Sequence, residues 1–280
     1  MNDRTKANLF FALFVMSIAG IVILCLLGTD PQKCTVEEPV WTEFKATREV
    51  TGLGEVLNDI ESHMHKGHIY RDQDKITWGH ETTHGIHSKL RSKYSQNYSY
   101  MIDRNMRGQS TCISLDKINC FYVLGDQVAI VKEPNTTIRR VAGAVPESLR
   151  GDIYNLYMLQ SSAWNDTPLY IFDEWVAYGN GAAVRHDLKI QNRSETVLYA
   201  LEMNVYAMTL MYAINSNDKQ LKAFFMWNTE RTMSLYWKNG PTQKQRDYLE
   251  KIRTNPDAKK LRTFMRKYCS PEWTARVLGF

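Results

Sequence analysis

The constraint on any fold for this chain is the spacing of His80 and His84 around Glu81, in the stretch Trp78-Gly79-His80-Glu81-Thr82-Thr83-His84-Gly85-Ile86-His87. One turn of helix separates the two histidines, so on a helix both rings leave the same face and can share one metal ion. Glu81 then points to the side, where its carboxylate can take a proton from a water on that ion. A catalytic ion of this kind wants a third protein ligand and one open position. The fold must therefore bring a distant segment back to this helix. Gly85 and the two threonines are weak helix formers, but the ligand geometry favours a helix that starts near Trp78 and runs through His84, as far as Arg91.

Glu174 is the leading candidate for the third ligand. Asp173-Glu174 interrupts the otherwise apolar Leu169 to Tyr178 (LYIFDEWVAY). An acidic pair there is costly unless its charge is used, and a metal would use it. Asp173 is then a partner that orients a ligand histidine, or else a helix-surface residue. Tyr170 and Tyr178 stand one turn to either side of Glu174 and share its face. Tyr178 is the expected donor to an oxyanion, with ordinary packing as the alternative for both tyrosines. His87 shares the face of His80 and His84, but the helical rise carries it about 10 Å from the first ring, too far for one ion on a straight helix. It is expected to support the site or to be structural. His63, His65 and His68 attract metal by composition, though a solvated loop is the plainer reading. His186 is a further candidate for contact with a transition state.

Leu9 to Leu27 (LFFALFVMSIAGIVILCLL) carries no charge and is long enough to cross a bilayer as a helix. Arg4 and Lys6 precede it, while Asp30, Glu37 and Glu38 follow. The positive-inside bias therefore leaves the short amino terminus in the cytoplasm. The run exceeds a usual signal-peptide core, and no clear small-x-small site follows it. Residues 1–28 are thus expected to be a cytoplasmic tip and an uncleaved signal anchor, with a cleaved signal peptide as the alternative. Either way the body of the protein lies outside the cytosol. Sequons at Asn97, Asn135, Asn165 and Asn192 agree and suggest a glycoprotein. Cys34, Cys112, Cys120 and Cys269 suggest disulfides in that oxidising compartment, Cys112 with Cys120 and Cys34 with Cys269. None has the spacing of a zinc ribbon. The 35 basic and 30 acidic residues are interspersed, for a net charge of +5. With no basic block, nucleic-acid binding has little support.

Residues 29–45 read as a polar stalk and 46–280 as one domain; with 44% apolar residues the chain can bury a sizeable core. Helical spacing marks 52–65 and, with a proline at its first turn, 146–158. Cys120 to Leu124 and Gln127 to Val131 flank Gly125-Asp126, a hairpin signal. The helix over 169–178 is expected to close at Gly179-Asn180-Gly181. Ser194 is expected to cap a long apolar helix over 195–214. Helices over 219–237 and 243–265 follow, separated at Gly240-Pro241. The expected fold class is α+β, mostly helical with a small β-sheet or hairpin, preceded by one transmembrane helix.

His80-Glu81-Thr82-Thr83-His84 together with Asp173-Glu174-Trp175-Val176-Ala177-Tyr178 resembles the zincin metallopeptidases, in the branch whose third ligand is a glutamate on a later helix, the gluzincins. The resemblance covers two short motifs. It implies a zincin-like fold, Zn2+ held by His80, His84 and Glu174, Glu81 as general base, and a peptide or protein substrate. The downstream segment departs from the Asn-Glu-x-x-Ala-Asp form of thermolysin-like enzymes. The metzincin pattern is also missing, with His87 where glycine is expected and Leu90 where histidine is expected. The rival expectation is an inactive zincin-like protein, tethered to the membrane for binding or structure, that keeps the metal for stability.

Overall fold

Two short β-rich runs meet across the turn at Gly125, as their spacing predicts. The computed structural model describes residues 38–65, 72–98, 101–104, 110–113, 117–191 and 195–280. The run Leu9 to Leu27, Cys34, His68, Asn192 and Ser194 lie outside them. Among the described residues the order is β1 (Trp41–Glu43), α1 (Glu55–His63), α2 (Lys75–Tyr98), β2 (Met101–Arg104), β3 (Ser110–Ile113), β4 (Ile118–Tyr122), β5 (Gln127–Lys132) and α3 (Ile138–Ala144). Then come α4 (Tyr170–Asp187), α5 (Thr196–Ile214), α6 (Lys219–Lys238), α7 (Gln243–Thr254), α8 (Lys259–Cys269) and α9 (Pro271–Val277). The class is α+β, mostly helical with a small sheet.

The sheet is antiparallel in the order β1-β5-β4, with Trp41 opposite Ala129 and Phe121 opposite Ala129 from the other side. β2 and β3 form a separate antiparallel pair. Alternation along β4 sends Phe121 to one side and Cys120 and Tyr122 to the other. Phe121 joins the helical core, where it packs with Phe172 and Phe224. Cys120 and Tyr122 join a second core with Leu57, Ile60, Ile86 and Leu90 from α1 and α2. Both faces of β4 are therefore buried. The turn itself holds Leu124, Gly125 and Asp126 in the left-handed region, at φ of 78°, 62° and 62°. Glycine takes that conformation freely, whereas leucine must be held in it. The grip comes from α1. Gly125 N donates to Asp59 Oδ2 at 2.8 Å, and His63 Nε2 lies 2.6 Å from Asp126 Oδ1.

Several expectations need correction. The stalk does not reach residue 45. Trp41–Glu43 adds a strand to the free edge of β5, and the Trp41 ring meets Trp227 at 4.8 Å. Glu37–Phe280 form one compact unit, because an apolar residue beside an open sheet edge is better buried than left in a linker. Residues 146–158 are not one helix. They fold as a 3-10 turn, Glu147–Leu149, and a π-helix, Asn155–Leu159. The buried Glu202 carboxylate takes the backbone N–H groups of Asp152 and Ile153, at 3.1 and 3.0 Å, which a continuous helix would need.

Gly179 to Gly181 do not end α4. They let it pack closely: a Cβ on Gly181 would lie 3.0 Å from Thr196 Oγ1, and one on Gly179 would lie 3.1 Å from Arg231 Nη1. The segment 243–265 breaks between α7 and α8 at Pro256, whose ring and missing N–H disfavour a continuous helix. α5 is apolar and long enough to cross a membrane, yet most of it is buried as the central core helix. Neither expected disulfide forms. Cys120 and Cys269 are free, buried thiols in different cores. Burial pushes both up to about 12, which leaves them unreactive. Of the sequons, Asn135 is exposed, whereas Asn165 is half-buried and bonded to Arg139 N and Asp166.

Candidate metal centre

α2 forms despite its glycines because its start is capped and one face is apolar. Asp74 accepts from Ile76 N at 3.1 Å and from Thr77 Oγ1 at 2.8 Å, replacing the missing first-turn partners. Ile76, Ile86, Leu90 and Tyr94 bury that face in the second core. The adjacent stripe is polar. His80, His84, His87 and Arg91 follow one another at helical spacing and all turn toward α4. α4 runs antiparallel to α2, as its contacts fall in reverse order: Gly181 against Ile76, Asn180 against Thr83, Asp173 against His87. Gly79 lets the helices approach, since a Cβ there would meet Val184 Cγ2 at 2.9 Å.

This approach brings the two distant motifs together. His80 Nε2 and His84 Nε2 are 3.1 Å apart, and Glu174 Oε2 lies 3.5 Å from the first and 3.3 Å from the second. Three donors around a tetrahedral zinc, each at its usual bond length, stand about 3.3–3.6 Å from one another. The two sides to Glu174 fall in that range, and the His80–His84 side, at 3.1 Å, is slightly shorter. Glu174 Oε2 is buried and makes no bond of hydrogen-bond geometry. A buried carboxylate oxygen of this kind, facing two imidazole nitrogens, calls for a cation between them. The donor set of two imidazoles and one carboxylate fits a divalent metal ion, and the same three residues form one of two such groups among the described residues.

Asp173 organises the ligands from behind. His84 Nδ1 donates to its Oδ1 at 2.5 Å, and His87 Nδ1 donates to the same oxygen at 3.0 Å. Arg91 Nη1 donates to Asp173 Oδ2 and, at 3.1 Å, to Asn119 Oδ1. The other group, His84, His87 and Asp173, is thus already joined by hydrogen bonds. Burial alone would raise the Asp173 pKa, but His87 and His84 outweigh it and hold the carboxyl well below its ordinary value. Glu174 is likewise held down to about 2, because the two imidazoles outweigh its burial. Burial opposes charge on His84, yet Asp173 and Glu174 push its pKa up to about 10. Without a metal the site therefore keeps a proton on His84 as its positive charge. Burial lowers the His87 pKa against the pull of Asp173.

The triangle lies at the floor of an open cleft of about 660 Å³. Glu81 is partly exposed and lines the cleft beside His80. Gly85, Ser88 and Arg91 continue the α2 wall, and Leu156, Tyr157, Ser161, Trp164 and Tyr170 make the opposite wall. Glu81, Asp173 and Glu174 outnumber Arg91, so the cleft has negative charge to spare for a cation.

Tyr178 is not among the residues that line the cleft. Its ring packs on His80, with centroids 4.3 Å apart, and its hydroxyl lies 2.9 Å from that of Tyr157. Tyr157 lines the cleft. No spacing in the sequence ties Tyr157 to the histidines. Its segment reads as an ordinary helix, whereas the structure places it in the π-helix Asn155–Leu159. His87 is buried behind the ligands, as expected of a supporting residue. His63 is buried on Asp59, Tyr122 and Asp126, away from the cleft. His186 is exposed near the far end of α4 and does not enter the site.

The chain matches no family model, no curated protein and no solved structure.

Proposed function

We propose that this protein is a zinc-dependent metallopeptidase of the zincin kind, with His80, His84 and Glu174 as ligands and Glu81 as general base. The observation that carries the reading is the triangle of His80 Nε2, His84 Nε2 and Glu174 Oε2, with sides of 3.1, 3.3 and 3.5 Å, at the floor of an open cleft. A purely structural zinc is enclosed by four protein ligands, whereas a catalytic one keeps a position for water and substrate. Three ligands below an open cleft support the catalytic arrangement over an inactive binder. In this reading the protein sits outside the cytosol, anchored by Leu9 to Leu27 or released by cleavage after it.

Held by His80, His84 and Glu174, zinc would supply Lewis acidity toward a water and the scissile carbonyl. The chain's own residues supply the rest. Glu81 takes the water's proton and passes it to the leaving amine. Tyr157, its hydroxyl placed by Tyr178, donates to the oxygen that gains negative charge. Asp173 accepts from His84 Nδ1, which fixes the ring and aims Nε2 at the ligand position. Arg91 neutralises Asp173 on its far side.

Zinc analysis and peptide cleavage, measured on Glu81→Gln and Glu174→Ala, test the proposal. Glu81→Gln should keep its zinc and lose turnover, and Glu174→Ala should lose zinc. Normal cleavage by the first variant, or normal zinc content in the second, would remove the mechanism.

A further inference from the structure

Residues of α5, α6 and α8 line a second open cavity, of about 620 Å³. Lys219 and Lys222 on α6 and Lys267 on α8 border it, together with the rings of Tyr212, Phe264 and Tyr268. None of its lining residues is acidic, and none belongs to the metal cleft. Its volume is that of an ordinary small-molecule site. The charges stand where the backbone disfavours them. Lys219 is the first residue of α6 and Lys222 the fourth, at the end of the helix where the dipole is already positive. Asp218, the acidic residue beside them, is engaged elsewhere, with Oδ1 accepting from Leu221 N at 2.8 Å. α8 carries Lys259, Lys260, Arg262, Arg266 and Lys267 and no acidic residue. Among the described residues, neither Lys222 nor any of these five has a carboxylate within ion-pair distance. A concave surface lined by one sign of charge concentrates counter-ions.

The cavity is also held in shape. Ser216, on its lining, accepts the Tyr268 hydroxyl at its carbonyl, at 3.1 Å, and accepts Asp218 N at Oγ, at 3.0 Å. With that oxygen accepting, the Ser216 hydroxyl proton points to a further acceptor. Phe264 stacks on Tyr268 at 5.1 Å and 18°, and Tyr212 meets Phe264 edge-on at 5.3 Å. Lys222 Nζ lies 5.0 Å from the centre of the Tyr268 ring, so its ammonium stands against the aromatic wall. Tyr212 is 38% exposed, which leaves part of its ring open to a ligand.

We propose that this cavity binds a sugar ring carrying two or more phosphate or sulfate groups. Lys219, Lys222 and Lys267 call for more than one negative charge on the ligand. Lysines act as point charges, so they suit tetrahedral oxyanions without demanding one bonding plane. The aromatic wall suits the C–H face of a sugar ring, which is drawn to the negative face of an aromatic system. The proposal does not depend on the reading of the metal cleft as a peptidase.

Isothermal titration calorimetry on the full-length protein, at fixed ionic strength, tests this. Fructose bisphosphate is the phosphate probe and a sulfated heparin disaccharide is the sulfate probe. At least one should bind with a Kd below about 1 mM. Binding of one alone supports the site and assigns the source of its charge, and binding of both makes it a site for either ester. Inorganic sulfate should bind at least about tenfold more weakly, because it has no ring to set against the aromatic wall. Lys219→Glu and Lys267→Glu change exposed positions and leave the core intact. Each should weaken the bound probe by about tenfold. Lys89→Glu makes the same change of net charge at an exposed position on α2 and should leave binding unchanged. The proposal is overturned if neither probe binds, if inorganic sulfate binds as tightly, if binding survives both cavity reversals, or if Lys89→Glu weakens it equally.

Discussion

Oδ1 of Asp173 accepts Nδ1–H of His84 at 2.5 Å, and this bond decides which nitrogen of His84 faces Glu174. A carboxylate held far below its ordinary pKa can only accept, so Nδ1 must donate and Nε2 is left for the ligand position. The two halves of the acidic pair therefore have different tasks. Glu174 joins the triangle, and Asp173 orients one of its corners.

Asp173→Asn should expose that division. The amide can offer a donor where an acceptor is needed, and His84 loses the charge behind it. Zinc affinity, read by competition with a coloured chelator, should fall by about 10–100-fold, with the fold retained by circular dichroism. Unchanged affinity would make Asp173 a merely structural residue.

The two tyrosines can be separated by rate. Tyr157 lines the cleft and Tyr178 stands behind it, joined through their hydroxyls at 2.9 Å. Tyr157→Phe removes the direct donor and should lower kcat by about 100-fold or more with little change in KM. Tyr178→Phe should cost less, because only the orientation of Tyr157 is lost. The reverse order would restore Tyr178 as the donor.

The metal-free protein should lose stability as pH rises above neutrality. The folded His84 pKa, about 10, lies above its ordinary 6.5. Its contribution is then full below about 6.5 and disappears as pH climbs through about 10. The acidic side has the opposite sign. Glu174 is lowered to about 2 from 4.5, so its contribution is present above 4.5 and lost as pH falls toward 2. Thermal melts of chelator-treated protein between pH 6 and 10 should show the alkaline decline. Zinc must displace the His84 proton, so calorimetry at pH 7–8 in buffers of different ionisation enthalpy should read about one proton released per ion.

Gly79 is a packing requirement next to a ligand. A Cβ there would lie 2.9 Å from Val184 Cγ2, a stiff buried side chain. Gly79→Val should lower stability by about 1–3 kcal/mol through overpacking. It should also weaken zinc binding, because α2 and α4 must separate where the ligands face each other. Denaturant melts and zinc titration of the same protein check both effects.

The sequence by itself determined what is local. The spacing of His80 and His84 required a helix, and the acidic pair in an apolar run marked Asp173-Glu174 as charges with a use. Gly125-Asp126 marked the hairpin, because turns depend on the φ preferences of a few adjacent residues. Only the tertiary structure decided what depends on distant neighbours. Gly179 and Gly181 read as a helix end, but Arg231 and Thr196 use the missing side chains as space. Residues 146–158 read as one helix, but the distant Glu202 carboxylate takes the N–H groups of Asp152 and Ile153, and the segment that follows brings Tyr157 to the cleft as a π-helix. Cys120 and Cys269 read as halves of two separate disulfides, with Cys112 and Cys34, but the structure leaves both as free thiols, one in each core. The meeting of Glu174 with the two histidines is of the same kind. It depends on a close helix crossing, set by Gly79 on α2 and by Gly181 on α4, and no periodicity within either segment encodes the distance between them.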